Sequence, residues 1–207
     1  MVRELRNKDV RRLNPLRPSL RVGVAGLCLL LAGCGTAPVP TFDLSAPTAF
    51  SARGGGGQLV VVTPTALAAL DTQQILVEPA PGQVTYLPEA QWSDRLPALL
   101  QARLIEAFEN GSKIRRVARP NDGVAADYQL NVDIRTFGVQ IAAGAPDAVV
   151  SLSVKVIATA SGHIVAAQVF SARVPVSAMN GAGVTAALDA ASDTVLRDIV
   201  IWASARS

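Results

Sequence analysis

Side chains that could act as nucleophiles, general bases or metal ligands are few in this sequence of 207 residues. It contains two cysteines, Cys28 and Cys34, and one histidine, His163. A histidine can serve as a general base or as a metal ligand. His163 directly follows Ser161 and Gly162, however, so a solvent-exposed turn residue is the favoured interpretation. Both cysteines lie near the N-terminus, and none remains further along the chain for a disulfide or a thiol nucleophile.

Sequence motifs for the common enzyme chemistries are absent. The chain has no Gly-x-Ser-x-Gly, His-Glu-x-x-His, dinucleotide-binding fingerprint or phosphate-binding loop. The glycine run at 54–57 precedes a strand pattern and no Lys follows it, which favours a flexible loop. Gly181 and Gly183 form a lone Gly-x-Gly at the start of a helix. Two of the scattered carboxylates could still meet across a cleft, which residue types alone do not exclude. We predict a protein that is not an enzyme and that needs no cofactor or metal.

The segment before Cys34 has the layout of a secretion signal. Seven basic residues lie within residues 1–33, and Val22–Leu31 is an apolar run. As a helix of ten residues that run would be about 15 Å long, half the thickness of a bilayer core, which is too short to span a membrane. The pattern is typical of a signal peptide, and a buried core helix is the alternative.

The end of that run resembles the bacterial lipobox. Leu31, Ala32 and Gly33 stand before Cys34, with small residues at the two positions that the signal peptidase must accommodate. The resemblance implies cleavage before Cys34 and attachment of membrane lipid to its thiol; an ordinary signal peptide with a chance cysteine is the alternative. Several acyl chains on Cys34 would form a stable anchor. Gly35, where an Asp favours inner-membrane retention, implies the outer membrane, with the protein facing the periplasm.

The charge balance excludes a nucleic-acid partner. The chain carries a formal net charge of +3, but residues 34–207 hold twelve basic side chains against fourteen acidic ones. A nucleic-acid-binding domain needs a basic footprint to release counterions from phosphates, and a mature chain from Cys34 would have none. Half of the residues are hydrophobic and 17% are charged, which favours a folded domain over disorder.

Proline and glycine divide the mature chain into two parts. Residues 34–57 contain Pro38, Pro40, Pro47 and the four-glycine run, so we predict a lipidated cysteine followed by a flexible linker. Residues 58–207 are expected to form a single domain. Its first half shows patterns for a helical turn at Ala66–Leu70 and for strands at Leu59–Val62, Gln74–Val77, Gln83–Leu87 and Ile114–Ala118.

Two helices are predicted from apolar residues at spacings of three and four. The first spans Leu96–Phe108, with Asp94 as its N-cap and Gly111 as its C-terminal stop. The second spans Val184–Trp202, where Asp193 and Arg197 have the spacing of a helical ion pair.

Three strands between the two helices alternate apolar and polar residues. The patterns begin at Tyr128, Val150 and Ile164, and a shift in phase at Arg135–Thr136 predicts a β-bulge. The alternation indicates an antiparallel meander with one solvated face. We therefore predict an α+β (mixed α/β) two-layer sandwich. It would have a largely antiparallel sheet of about seven strands and two main helices packed on one face.

The ordered series of motifs resembles the ABC-type transport auxiliary lipoprotein family. Phe42 and Leu44 stand at the family's aromatic-x-Leu motif, with Phe where Tyr is commoner. Tyr86, Trp92 and Leu96 match an aromatic residue, a Trp and a Leu that open the first helix, although Pro97 is displaced from its usual place. The final helix with Trp202 also fits. Trp92 and Trp202 are favoured as packing residues, with contact to a partner as the alternative.

The resemblance implies a non-catalytic lipoprotein of a Pqi-like, MCE-type lipid transport system. The expected partner is a periplasmic MCE-domain protein, linked to an inner-membrane permease and ATPase. An exposed strand edge or the solvated sheet face would receive it. Self-association into a ring-like collar around that partner is a further expectation. The alternatives are a lipoprotein that scaffolds or activates a peptidoglycan enzyme and a carrier that binds lipid itself.

Overall fold

A computed structural model describes residues 38–54, 56–111, 116–142 and 144–206. The predicted signal peptide, its lipobox and Cys34 lie outside these residues. The compact unit that contains every element below extends from Val39 to Ser207. Its two helices are α1 (Leu96–Gly111) and α2 (Gly181–Ser204). Its strands are β1 (Thr41–Phe42), β2 (Leu59–Val61), β3 (Thr65–Ala66), β4 (Gln74–Ala80), β5 (Gln83–Trp92), β6 (Val117–Ala118), β7 (Tyr128–Ala142), β8 (Ala145–Ala158) and β9 (Ile164–Pro175).

One mixed sheet contains all nine of these strands, and β7 is its centre. The antiparallel strand β8 lies along one side of β7, and β9 follows β8. Along the other side of β7 lie β2, β3 and β4 in succession, each parallel to it. Strand β5 pairs antiparallel with β4, and the short strands β1 and β6 complete the two ends of this side.

Both helices pack on the same face of the sheet, which confirms the predicted α+β class. Leu100, Leu104 and Phe108 of α1 are fully buried, as are the apolar residues of α2 that repeat at helical spacing. From the sheet, alternate residues of β7 such as Leu130 and Val132 point into the same core. The apolar stripe of each helix therefore packs against the apolar face of the meander, and this packing removes both from water.

Several details of the predicted sheet need correction. The sheet has nine strands in the described residues instead of about seven, and three of them, β2, β3 and β4, pair in parallel with β7. Strands β4 and β5 continue through Pro79 and Pro88, beyond their predicted ends at Val77 and Leu87. Both prolines lie in stretches where the pairing register of β4 and β5 shifts, and a proline is tolerated at such irregularities because no ladder hydrogen bond is lost there.

Most of the predicted linker, residues 34–57, is part of the folded unit. That unit begins at Val39, and Leu44 and Ala52 are buried in its core. The helical turn expected at Ala66–Leu70 is shorter than predicted: β3 occupies its first residue, and the N–H of Leu70 then donates to Leu67 O.

Two predictions of local structure are resolved by hydrogen bonds. A register shift in the β7–β8 pairing between Ile134 and Thr136 confirms the predicted bulge. Asp94 does not cap α1 as expected, because its Oδ1 accepts from the N–H of the very next residue, Arg95. The N-cap of α2 is Asn180, whose side chain accepts from the N–H of Gly183.

Candidate functional site: an open sheet edge

The one histidine of the sequence lies at the surface of the domain. His163 is exposed in the turn between β8 and β9, where its backbone N–H donates to Ser161 Oγ at 3.3 Å. Within the part of the chain that the structure describes, no three His, Cys, Asp or Glu residues group closely enough to hold a metal ion. The Gly-x-Gly at 181–183 has a packing explanation, because a Cβ on Gly181 would come within 2.9 Å of the Phe42 ring.

The feature that stands out is β9, which forms one edge of the sheet. This strand of twelve residues pairs with β8 on one side, and no other strand of the described chain pairs with it on the other. Its free side therefore presents a row of backbone N–H and C=O groups. Proteins usually blunt such an edge with Lys, Pro or a very short strand, whereas β9 has Pro175 only at its end and no Lys.

Apolar side chains line this free edge. Ile164, Val165 and Val169 are exposed by 55%, 47% and 44% of their surface. The single charged residue of β9 is Arg173 near its end, and Arg173 Nη1 is paired with Asp147 Oδ2 of β8 at 3.0 Å. A long edge with exposed β-branched residues and little charge has the properties of a strand-pairing surface.

The edge is held rigidly from the core side. Phe170 points inward from β9 and is 6% exposed, and its ring meets Trp202 of α2 edge-on with centroids 5.4 Å apart. The guanidinium of Arg206 lies 4.8 Å from the centroid of the same indole ring, at the end of α2. Such aromatic contacts add to the free energy gained from burial. They hold β9 in a fixed position at the edge of the sheet.

A shallow groove continues this edge onto the open face of the sheet. It encloses about 230 Å³ between the end of β2, the centre of β7 and the start of β9, where Ile164 forms one wall. Asn131 lies in its floor, and its Oδ1 is screened from solvent without a hydrogen-bond partner. Lys155 and Asp133 also line it. The groove therefore combines apolar side chains such as Ile157 and Ile164 with an acceptor that an inserted N–H could satisfy.

The residues that carry the family resemblance lie elsewhere. Trp92 and Leu96 are 1% and 2% exposed, and the Trp92 ring contacts Phe137 with centroids 5.9 Å apart. Leu44 is equally buried, and Trp202 packs on Phe170 as described above. The remaining two, Phe42 and Tyr86, are half-buried, and the Tyr86 hydroxyl donates to Ala69 O at 3.3 Å. Most of these side chains face the core, which favours packing over partner contact for Trp92 and Trp202.

Sequence reasoning identified β9 as a strand but missed its position at the edge. The alternation in Ile164–Val174 predicted the hairpin with β8, and nothing in that pattern tells whether a further strand follows in space. One signal was available: the run from Ile164 to Ala172 contains no charged residue, which is unusual for a solvated strand.

Together, the fold and this edge define a class: an α+β domain with one sheet, covered by helices on one face and open on the other face and at β9. The described residues include no helix long and apolar enough to cross a membrane. The chain belongs to the family of ABC-type transport auxiliary lipoprotein components, whose model matches residues 41–200. This confirms the resemblance seen in the sequence and indicates a protein of the cell envelope.

Similar proteins are known from sequence and from crystal structures. Protein XCC0632 from Xanthomonas campestris, solved by crystallography, is 28% identical with a TM-score of 0.74, over 81% of this chain and 95% of that one. A second solved structure, of an uncharacterized protein, shares the fold at 14% identity and a TM-score of 0.63. Uncharacterized protein bll6063 of Bradyrhizobium diazoefficiens is 32% identical over 86% of this chain. The chain spans about half, 48%, of the length of that curated relative.

Proposed function

We propose that this protein is a non-catalytic lipoprotein that docks a periplasmic MCE-domain protein at the outer membrane. The lipid on Cys34 would hold the domain at that membrane, and the MCE protein would connect it to an inner-membrane permease and ATPase that move lipid between the membranes. Family membership supports the transport role. The observation that carries the docking role is the open, charge-poor edge of β9.

Docking at β9 would use strand addition. An extended segment of the partner would pair its backbone with the free side of β9, and its alternate side chains would meet Val165 and Val169. Main-chain hydrogen bonds supply the affinity in this mode of recognition, and the neighbouring side-chain contacts supply the specificity. The groove beside Ile164 lies on the open face of the sheet next to this edge and would receive a side chain at the end of the added strand.

We also propose that several copies of the protein associate into a ring-like collar around the MCE-domain partner. Multi-angle light scattering of the detergent-solubilised protein tests this part. A defined oligomer at micromolar concentration is expected, and a monomer at every concentration would remove the collar from the account.

The test of the docking role is a crosslinked pull-down from native membranes. Tagged full-length protein is crosslinked in cells, solubilised in detergent and purified, and the proteins that accompany it are identified. We expect an MCE-domain protein together with its permease and ATPase. Recovery of a peptidoglycan synthase without any MCE protein would contradict the transport role and favour a cell-wall scaffold.

Two single variants locate the contact. Val169→Lys places a charge on the free face of β9, and Val84→Lys places the same charge on β5, which β4, β7 and β8 separate from β9. Both valines are exposed, so neither change should unfold the protein. We expect loss of the MCE protein with Val169→Lys and full recovery with Val84→Lys. Equal recovery from both would place the contact away from β9.

A further inference from the structure

We propose that residues 39–54 are a strap that fastens the domain to its anchor. One end of the sheet would then rest on the lipid surface that holds Cys34. The proposal depends on the lipid anchor of the proposed function and adds the orientation of the domain and the surface that faces the membrane.

The first part of the strap is fixed to the sheet and to the start of α2. Strand β1 pairs in parallel with the end of β5, and the N–H of Gln91 donates to Pro40 O at 3.1 Å. The Phe42 ring packs so closely on Gly181 that a Cβ there would come within 2.9 Å of it. The chain is therefore fixed to the sheet within a few residues of Val39.

The middle of the strap is held by charged and polar contacts to both helices. Asp43 accepts from Arg103 of α1 at 2.7 Å, and Asp189 of α2 accepts from the N–H and the hydroxyl of Ser45 at 2.6 and 2.7 Å. Partial burial opposes the charge of Arg103, but hydrogen bonds to Asp43 and Glu106 outweigh it and raise the pKa of Arg103 above its ordinary value. Between these contacts, Leu44 is 3% exposed.

The last part of the strap runs to the ends of the helices. The N–H of Ala52 donates to the carbonyl of Gly111 at 2.6 Å, and the Phe50 ring lies against the same glycine. Gly54 has a φ of 133° and sits so close to Ser204 O that a Cβ would approach it to 2.0 Å. Residues 39–54 are thus part of the folded unit along their whole length.

This fastening leaves a very short tether. Only residues 35–38 separate Cys34 from Val39, which allows at most about 17 Å between the two. That reach is close to the radius of gyration of about 15 Å expected of a domain of this size. A chain free up to Gly57 would instead reach about 80 Å. The short tether cannot let the domain turn freely.

Strand directions show which end of the domain faces the anchor. Strand β1 is parallel to β5, β5 is antiparallel to β4, and β4 is parallel to β7, so β1 runs opposite to β7. The chain therefore approaches β1 from the direction of the end where β7 finishes and turns into β8, and it joins the sheet beside Gln91, level with the start of β4. We call the end where β7 finishes the tether end. It also carries the β4–β5 turn and residues 176–180, because Val176 N donates to Pro146 O.

The composition of the tether end suits a lipid surface. Its described turn residues are Ala80, Pro81, Gly82, Ala142, Gly144, Ala145 and Pro146, none of them charged. Val39 and Met179, on the chain segments between this end and Phe42, are exposed by 45% and 44%. The nearest charges, on Glu78 and Asp147, are engaged by Gln140 and Arg173. The opposite end, before β7, carries Arg116, Arg119, Asp122 and Asp127 instead.

The test measures how close each end lies to a membrane. The mature lipoprotein has no free cysteine once Cys34 is acylated, so single substitutions accept one fluorescent label each. Ala145→Cys and Met179→Cys report on the tether end. Val124→Cys reports on the opposite end, in the loop before β7, and serves as the matched control. The full-length protein is reconstituted in phosphatidylethanolamine–phosphatidylglycerol vesicles that contain a lipid with a nitroxide headgroup.

We expect strong quenching and a blue shift at Ala145→Cys and Met179→Cys, and little change at Val124→Cys. Twenty Gly and Ser residues inserted between Pro38 and Val39 should remove the difference. Equal quenching at the three positions, or stronger quenching at Val124→Cys, would overturn the proposal. The intact mass separates the two hypotheses: acylated protein with no orientation contradicts the strap proposal alone, whereas unacylated Cys34 contradicts the lipid anchor of the proposed function as well.

Discussion

The sheet ends in two very different edges. On the β1 side, β1 covers only the last two residues of β5 and belongs to a segment that is fastened to both helices by Asp43, Ser45 and Leu44. The rest of that edge is β5 itself, which Pro88 interrupts. On the β9 side, a strand of twelve residues leaves one whole side of its backbone unpaired, with Val165 and Val169 exposed. Both edges are well packed from within, by Trp92 and by Phe170.

The difference indicates that the open edge is kept for a purpose. The β1 edge shows the usual protection of a sheet, a short strand tied down by its own chain. The same protection would have been available at β9 through a Lys or a Pro in its middle. Because an unprotected edge carries a risk of aggregation, the contrast between a β5 edge that β1 and Pro88 interrupt and an uninterrupted β9 edge supports a docking function at β9.

The largest effect on the free energy of unfolding is expected at Trp92, the buried residue at the β1 edge. Trp92→Ala removes a fully buried ring that contacts Phe137 beneath β1 and β5, and should lower the free energy of unfolding by about 3–5 kcal/mol. Chemical denaturation followed by circular dichroism measures it. The matched change on the open edge, Val169→Ala, should cost less than about 0.5 kcal/mol. Similar costs at both positions would contradict the distinction between a structural and a binding edge.

A second change should have the opposite effect to Trp92→Ala, because it affects binding and leaves stability unaltered. Val165→Lys with Val169→Lys should weaken binding of the MCE-domain protein by about ten- to a hundredfold, or about 1.4–2.8 kcal/mol, through desolvation of the new charges. Biolayer interferometry with the immobilised lipoprotein measures the affinity. An unfolding midpoint lowered in step with the affinity would show that the loss reflects misfolding instead of a lost contact.

A smaller effect tests the fastening of the strap. Asp189→Ala removes the acceptor for the N–H and hydroxyl of Ser45 and should cost about 1 kcal/mol of unfolding free energy. Hydrogen exchange should also accelerate in residues 41–47, while exchange in β9 stays unchanged. Unchanged exchange in the strap would mean that Leu44 and Phe42 hold it without this contact.

The smallest effect is expected on the solvent side of α2. Asp193→Asn breaks the ion pair with Arg197, whose side chain is 40% exposed. Exposed pairs one helical turn apart contribute about 0.3–0.5 kcal/mol, so thermal unfolding should shift only slightly and MCE binding not at all. A loss of binding in this variant would point to α2, and not to β9, as the docking surface.

Local sequence patterns predicted each helix and strand more reliably than they predicted which strands pair with one another. The alternation in β7 placed Leu130, Val132 and Ile134 in the core correctly, and the phase shift located the bulge, because both depend on one strand alone. The pairing of β2, β3 and β4 with β7 depends on residues far apart in sequence, and no local pattern encodes it. The same reason explains why residues 39–54, rich in proline, were predicted to be a linker.

The candidate site was predicted even less completely. An exposed strand edge was expected as the docking surface, but its assignment to β9 needed the topology of the whole sheet. Trp92 and Leu96 belong to the family motif, but tertiary packing buries them in the core, and the motif alone does not indicate this. Lipidation of Cys34 remains a prediction from the lipobox alone.

Site-specific photo-crosslinking in living cells tests docking at β9 most directly. A photoreactive amino acid replaces Val169 on the open edge in one strain and Val84 on β5 in another, and the crosslinked proteins are identified by mass spectrometry. The account predicts a crosslink from position 169 to an MCE-domain protein and none from position 84. A crosslink to that protein from position 84 alone, or from position 169 only to a cell-wall synthase, would contradict it.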